Sequence, residues 1–267
     1  MDLGLAGRFA LVTGSWRGTG AGIASVLAAE GATVLVHGLQ PGQADATVAA
    51  ITEAGGRAHA VHGDIRTDLG TEDLRTSVGA VTDRVDIVVN NYGVADGTTW
   101  EDATGDSWHA SFDTNVVSAL RVVDLFVGPM RQNGWGRIVF VATVGATRPG
   151  ERMPEYYAAK GALPAVTVSL AKHLAGEGVT VNCVSPGLIA TAEVIERSAT
   201  AAARKGLGTD WPTVERYLLD HVMANPSGRV PFPEDIGRVV AMVVGEPGWH
   251  INGAHLRVDG GAADAVT

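Results

Sequence analysis

One cysteine, Cys183, stands in 267 residues. No intrachain disulfide can form, and the chain fits a reducing compartment. Long hydrophobic runs are missing too: Ile138 to Ala142 and Val239 to Val244 are far too short to span a bilayer. There is no excess of positive charge. The 20 basic and 29 acidic side chains give a net charge of −9, which argues against nucleic acid as a partner. The N-terminal stretch has Arg8 between Leu5 and Phe9 and no basic n-region, so no signal peptide is expected. The eight histidines form no metal-ligand set; His59 and His62 fall on opposite faces of a predicted strand. These absences point to a cytoplasmic protein with no metal, membrane or nucleic acid to bind.

What is present is rhythm. Apolar runs at Phe9–Val12, Thr33–Val36, Ala58–His62, Ile87–Asn90, Arg137–Val141, Thr180–Val184 and His255–Val258 read as strands. Between them, helical patterns fill Gly20–Glu30, Gln43–Ala54, Leu69–Thr82, Ser107–Arg131, Tyr156–Leu174 and Pro233–Val244. Such alternation predicts an α/β fold, a doubly wound, seven-stranded parallel sheet with helices on both faces. With 46% hydrophobic residues and no linker or repeat, residues 1–267 read as a single domain. The rhythm breaks only at 188–229. Its second half, Pro212 to Met223, puts Val214, Tyr217, Leu218 and Val222 at helical spacing, which predicts a helical flap over a site.

Two motifs carry chemistry. Thr13-Gly14-Ser15-Trp16-Arg17-Gly18-Thr19-Gly20 follows the first strand and opens a helix. Glycines there let backbone amides approach a phosphate, and the helix dipole favours the anion. Tyr156 and Lys160, four apart on a predicted helix, share one face. The ammonium is expected to favour the phenolate, as a proton-transfer tyrosine requires.

A dinucleotide fingerprint followed by Y-x-x-x-K resembles the short-chain dehydrogenase/reductase family, compact members with a Rossmann-type sheet. The resemblance runs nearly the whole chain, to Val258-Asp259-Gly260-Gly261. It implies an NAD(P)-dependent oxidoreductase interconverting a ketone and a secondary alcohol, with Tyr156 as general acid/base and a homotetrameric assembly. Lys160 would lower the Tyr156 pKa and hold the ribose hydroxyls. Asn115 matches the family's helix asparagine, and Thr143 falls where the catalytic serine usually stands, keeping the hydroxyl and adding a stiffening β-methyl. The implied cofactor contacts run through Gly14, Ser15, Trp16, Arg17, Gly18, Thr19 and Gly20. Asp64 with Ile65 would meet the adenine edge, and Asn91-Tyr92-Gly93 resembles the family's asparagine–glycine turn with Tyr92 in place of alanine. Pro186 and Gly187 shape a second turn, which brings Ile189 to the carboxamide and Thr191 to a phosphate.

After the second strand, His37-Gly38-Leu39 carries neither the acid that pairs with ribose hydroxyls in NAD-type sites nor an arginine for a 2′-phosphate. Gly38 repels nothing, and Arg17 and His37 could reach the phosphate. The balance favours NADP, with NAD as the alternative. A nucleotide-binding sensor on the same fold, weak or inactive as a catalyst, is the competing functional reading. The substrate pocket is expected among Tyr92, Val94, Met153, Leu188, Trp211 and Tyr217, with Arg152 nearby.

Overall fold

The computed structural model describes residues 2–264, and within them the apolar runs form seven strands. They are β1 (Phe9–Val12), β2 (Thr33–Gly38), β3 (Arg57–His62), β4 (Ile87–Asn90), β5 (Gly136–Val141), β6 (Val179–Pro186) and β7 (His255–Val258). All pair in parallel in the order β3-β2-β1-β4-β5-β6-β7. The order reverses between β1 and β4, and there the crossovers diverge and leave a crevice beyond the carboxyl ends of the strands.

The helices are α1 (Gly18–Ala29), α2 (Asp45–Glu53), α3 (Asp68–Gly79), α4 (Gly105–Phe112), α5 (Ser118–Gln132), α6 (Pro154–His173), α7 (Ala192–Arg204), α8 (Trp211–His221) and α9 (Pro233–Val244). None is long and apolar enough to cross a membrane. The central strands are apolar on both faces because helices cover both faces. Alternate residues feed two cores. Leu11, Leu35, Val88, Ile138 and Phe140 point one way, towards Leu74, Phe126 and Leu163. Ala10, Val12, Val34, Val89 and Val139 point the other way, towards Ile23, Leu27, Ile236 and Val240. Each buried Val, Leu, Ile or Phe among them contributes about 1.5–3 kcal/mol. Truncating the fully buried Phe140 to Ala would cost roughly 3–5 kcal/mol.

α1 and α9 approach backbone to backbone. A Cβ on Gly22 would lie 2.3 Å from the Pro233 Cβ, so the glycine sets the close approach that fixes α1 beneath the crevice.

The helix expected over Ser107–Arg131 is interrupted. Asp113–Val117 forms a π-helical turn between α4 and α5. Such a turn frees a carbonyl from its usual partner. Asn115 Nδ2 donates to the Ser111 carbonyl at 3.1 Å and to the Val94 carbonyl at 3.3 Å, while Oδ1 accepts the Val94 N–H at 3.0 Å. The asparagine therefore pins the chain after β4.

Candidate active site

A cavity of about 740 Å³ opens at the carboxyl ends of the strands, where the sheet order reverses. Six segments wall it: the glycine loop, Leu39 after β2, the chain after β4, the end of β5, one face of α6 and the turn from β6 into the start of α7. Of the residues expected from the sequence, Gly14, Trp16, Arg17, Gly18, Thr19, Gly20, Leu39, Asn91, Tyr92, Gly93, Thr143, Tyr156, Lys160, Pro186, Gly187, Ile189 and Thr191 all line it. Ser15, His37, Gly38, Asp64, Ile65 and Asn115 do not.

The glycine loop is built for an anion. Gly14 and Gly18 take φ of 63° and 56°, which glycine adopts without a Cβ clash. Arg17, at the N-cap of α1, supplies no side-chain acceptor, so the first-turn amides have no side-chain cap and keep the positive end of the helix dipole. The loop is anchored from behind: Ser15 Oγ donates to the Val12 carbonyl at 2.6 Å and accepts the His37 N–H at 2.9 Å. Asn91 Nδ2 donates to the Thr13 and Gly14 carbonyls at 2.9 and 3.2 Å. A Cβ on Gly93 would stand 2.6 Å from Lys160 Nζ and 2.7 Å from Asn115 Oδ1. Bare backbone is required where those two side chains meet. Open amides at a helix N-terminus, in a long cleft with a lysine farther along it, fit a dinucleotide.

The end of β2 departs from expectation. His37 is fully buried, and Nδ1 accepts the Gly14 N–H at 3.0 Å. The proton therefore sits on Nε2, 2.9 Å from the Gly63 carbonyl. Burial lowers the His37 pKa to about 4, so the ring is neutral and its nitrogens are occupied. It cannot serve a 2′-phosphate. Gly38 is covered by Gln43, whose Oε1 accepts the Leu39 N–H at 2.7 Å and the Gln40 N–H at 3.4 Å. Asp64 is held by Arg66 through contacts of 2.8 and 2.7 Å, and this hydrogen bonding keeps its carboxyl below the ordinary range. Ile65 is core. Trp16 faces the cavity with its ring 6.3 Å from that of Tyr92 and tilted against it.

At the other end of the cavity, the Thr143 hydroxyl stands beside the Tyr156 phenol, and its Oγ1 accepts the Gly145 N–H at 3.3 Å. Lys160 Nζ donates to the Val141 carbonyl at 3.0 Å. The expected lowering of the tyrosine pKa is absent. Burial pushes Tyr156 up to about 12, against a smaller opposing effect of the Thr143 hydrogen bond. The reason is local: the lysine donates to strand β5, and its own burial lowers its pKa to about 8. Tyr157 lies outside the cavity. Its ring covers Gly145, where a Cβ would meet Cδ1 at 2.1 Å.

Six lining residues were not expected as cofactor or catalytic contacts: Val94, Ala95, Val141, Ala142, Glu193 and Arg197. Glu193 and Arg197, four apart on α7, share a helical face that the sequence reading of the flap, centred on Pro212–Met223, did not single out. Val94 had been read as substrate pocket and does line the cavity. Tyr92, expected there too, also lines it, whereas Met153, Leu188, Trp211 and Tyr217 do not. Leu188 and Trp211 pack into a small core of the flap itself, with Ala190, Val214, Leu218 and Val230. Tyr217 stacks on His221 at 4.6 Å. Met153 caps α6 in the left-handed conformation, φ 59°, and Arg152 lies outside the cavity. A two-helix flap needs its own apolar centre, and those side chains supply it.

A family model described as short chain dehydrogenase matches residues 8–202. A D-beta-hydroxybutyrate dehydrogenase of Cupriavidus necator is 33% identical over 259 residues, 96% of this chain and 98% of the relative. The crystal structure of L-sorbose reductase from Gluconobacter frateurii, complexed with NADPH and L-sorbose, superposes with a TM-score of 0.90 at 29% identity and covers all of both chains. A 3-oxoacyl (acyl-carrier-protein) reductase of Agrobacterium tumefaciens with NADP bound gives 0.85 at 30% identity, covering 97% and 96%.

Proposed function

Because the chain belongs to the short chain dehydrogenase family, we propose that it interconverts a ketone and a secondary alcohol with a nicotinamide dinucleotide, NADP in preference to NAD. The observation that carries this is the convergence of Tyr156, Thr143 and Lys160 with the anion-shaped glycine loop in one cavity. The nicotinamide, when bound, supplies or accepts the hydride.

The chain's own groups do the rest. The open amides of α1 and the Thr191 hydroxyl would hold the phosphates, Lys160 the ribose hydroxyls, and Ile189 would meet the carboxamide. Thr143 would hold the substrate oxygen with its hydroxyl. Tyr156 would give its proton to that oxygen in reduction and take it back in oxidation. A phenol kept protonated by burial is in the form that reduction needs. Asn115 positions the backbone of Val94 at the wall of the site.

On this reading residues 1–267 make one catalytic domain, with 188–229 as its substrate flap, in a cytoplasmic homotetramer. The favoured 2′-phosphate contact is Arg17, which lines the cavity and is more than half exposed. The sensor reading draws on one observation, the Lys160 ammonium bound to β5. A panel of ketones, sugars, acyl thioesters and alcohols, each with NADPH, NADH and the oxidised forms, separates the two. Turnover, read as change in reduced-nicotinamide absorbance, supports the enzyme. Tight nucleotide binding with no turnover on any of them supports the sensor.

A further inference from the structure

Two guanidinium groups and one carboxylate line the mouth of the cavity: Arg17 from the glycine loop, and Glu193 and Arg197 from α7. Arg17 Nη1 lies 3.2 Å from Glu193 Oε1, a pairing across 176 residues that ties the loop to the first turn of the flap helix. Among the described residues Arg197 has no carboxylate partner. A carboxylate in a cleft shaped for phosphates works against the ligand's own charge, so its presence there calls for a reason.

We propose that Glu193 sets the cofactor preference by competing with the 2′-phosphate of NADP(H) for Arg17, and that Arg197 takes over Glu193 when Arg17 leaves. The inference rests on the reading of Arg17 as the 2′-phosphate contact. A guanidinium already paired must give up its carboxylate before it can hold a phosphate, and an NAD-type ligand makes no such demand. The exchange is cheap because Glu193 and Arg197 stand at i and i+4 on α7 with the acid nearer the N-terminus, the favourable order for a helix pair. One carboxylate thus serves whichever arginine is free. Because Arg17 and Glu193 are both more than half exposed, the energies are those of surface pairs and the effects will be modest and salt-sensitive.

The test is equilibrium binding of NADPH and NADH, without substrate, by calorimetry or by quenching of intrinsic tryptophan fluorescence. It uses the full-length protein, Glu193→Gln, Arg197→Gln, Arg17→Ala and the Arg17→Ala/Glu193→Gln double variant. Glu193→Gln should raise the ratio of NADPH to NADH affinity by roughly two- to fivefold, the range an exposed ion pair corresponds to. Arg197→Gln should lower it by a similar factor. Both effects should shrink in high salt, and the Glu193→Gln effect should vanish in the Arg17→Ala background. Equal tightening of NADPH and NADH in Glu193→Gln would reduce Glu193 to a general repeller of phosphate and overturn the competition. A Glu193→Gln effect that persists without Arg17 overturns it as well. If Arg17→Ala collapses the ratio while Glu193→Gln is silent, the competition fails and the cofactor reading stands. If Arg17→Ala leaves the ratio unchanged, the cofactor reading fails and takes the competition with it.

Discussion

His37 Nδ1 accepts the Gly14 N–H at 3.0 Å while its Nε2 faces the Gly63 carbonyl at 2.9 Å, so one neutral ring ties the glycine loop to the turn after β3. Protonation would put a donor against the Gly14 donor. Burial lowers the His37 pKa from 6.5 to about 4. Between those values the unfolded chain binds a proton that the folded chain does not, so stability rises with pH across that window. The contribution is fully present above pH 6.5 and is lost as pH falls towards 4. Its size is on the order of 3 kcal/mol. His37→Asn keeps an acceptor near Gly14 and removes the titration. Thermal melts from pH 7 to 4.5 should therefore fall less steeply for the variant than for the natural protein, and parallel curves would show that His37 does not titrate here.

Tyr156 lines the cavity and Tyr157 does not. Tyr156→Phe is expected to cut turnover by about 10²-fold or more, the scale of general acid–base catalysis, while cofactor affinity stays close to its original value. Tyr157→Phe keeps the ring that covers Gly145 and should retain most of the rate. Steady-state rates with the best substrate, beside nucleotide titrations, check both. The reverse pattern would move the proton donor one residue along α6.

The Thr143 hydroxyl stands beside the Tyr156 phenol and accepts the Gly145 N–H. Thr143→Ser keeps the hydroxyl and removes a methyl, so its kcat/KM should be unchanged or higher, with bulkier ketones accepted. Thr143→Val keeps the shape and loses the hydroxyl. A fall of about 10²-fold is expected, as for loss of a positioned donor to developing oxyanion charge. An unchanged kcat/KM in the valine variant would leave Thr143 as packing.

A carboxylate introduced at the end of β2 should turn the preference towards NAD, but Gly38→Asp alone meets an obstacle. A Cβ on Gly38 would stand 2.9 Å from the Gln43 Cβ, and Gln43 Oε1 already occupies the Leu39 N–H. Gly38→Asp with Gln43→Ala should therefore shift the NADH to NADPH affinity ratio further than Gly38→Asp alone. Fluorescence titration of both variants decides it, and equal shifts would mean Gln43 moves aside freely.

The sheet, its seven strands and most of the cavity wall were legible in the sequence, because each depends on local pattern. Buried parallel strands must be continuous apolar runs, and a loop that presents amides to a phosphate must be rich in glycine. Tyr156 and Lys160 could be paired from helical spacing alone, and the resemblance added Thr143 and Asn115 to them. Tertiary structure decided what depends on partners distant in the chain. His37 became a structural acceptor because Gly14 and Gly63 close around it. Lys160 took the Val141 carbonyl, so burial and not the neighbouring cation governs Tyr156. Leu188 and Trp211 went into the flap's own core, and Glu193 met Arg17 across 176 residues. Spacing fixes which side chains share a face of one element. Only the packing of elements fixes which charges and hydrogen-bonding groups meet between them, and that is where this site's electrostatics are set.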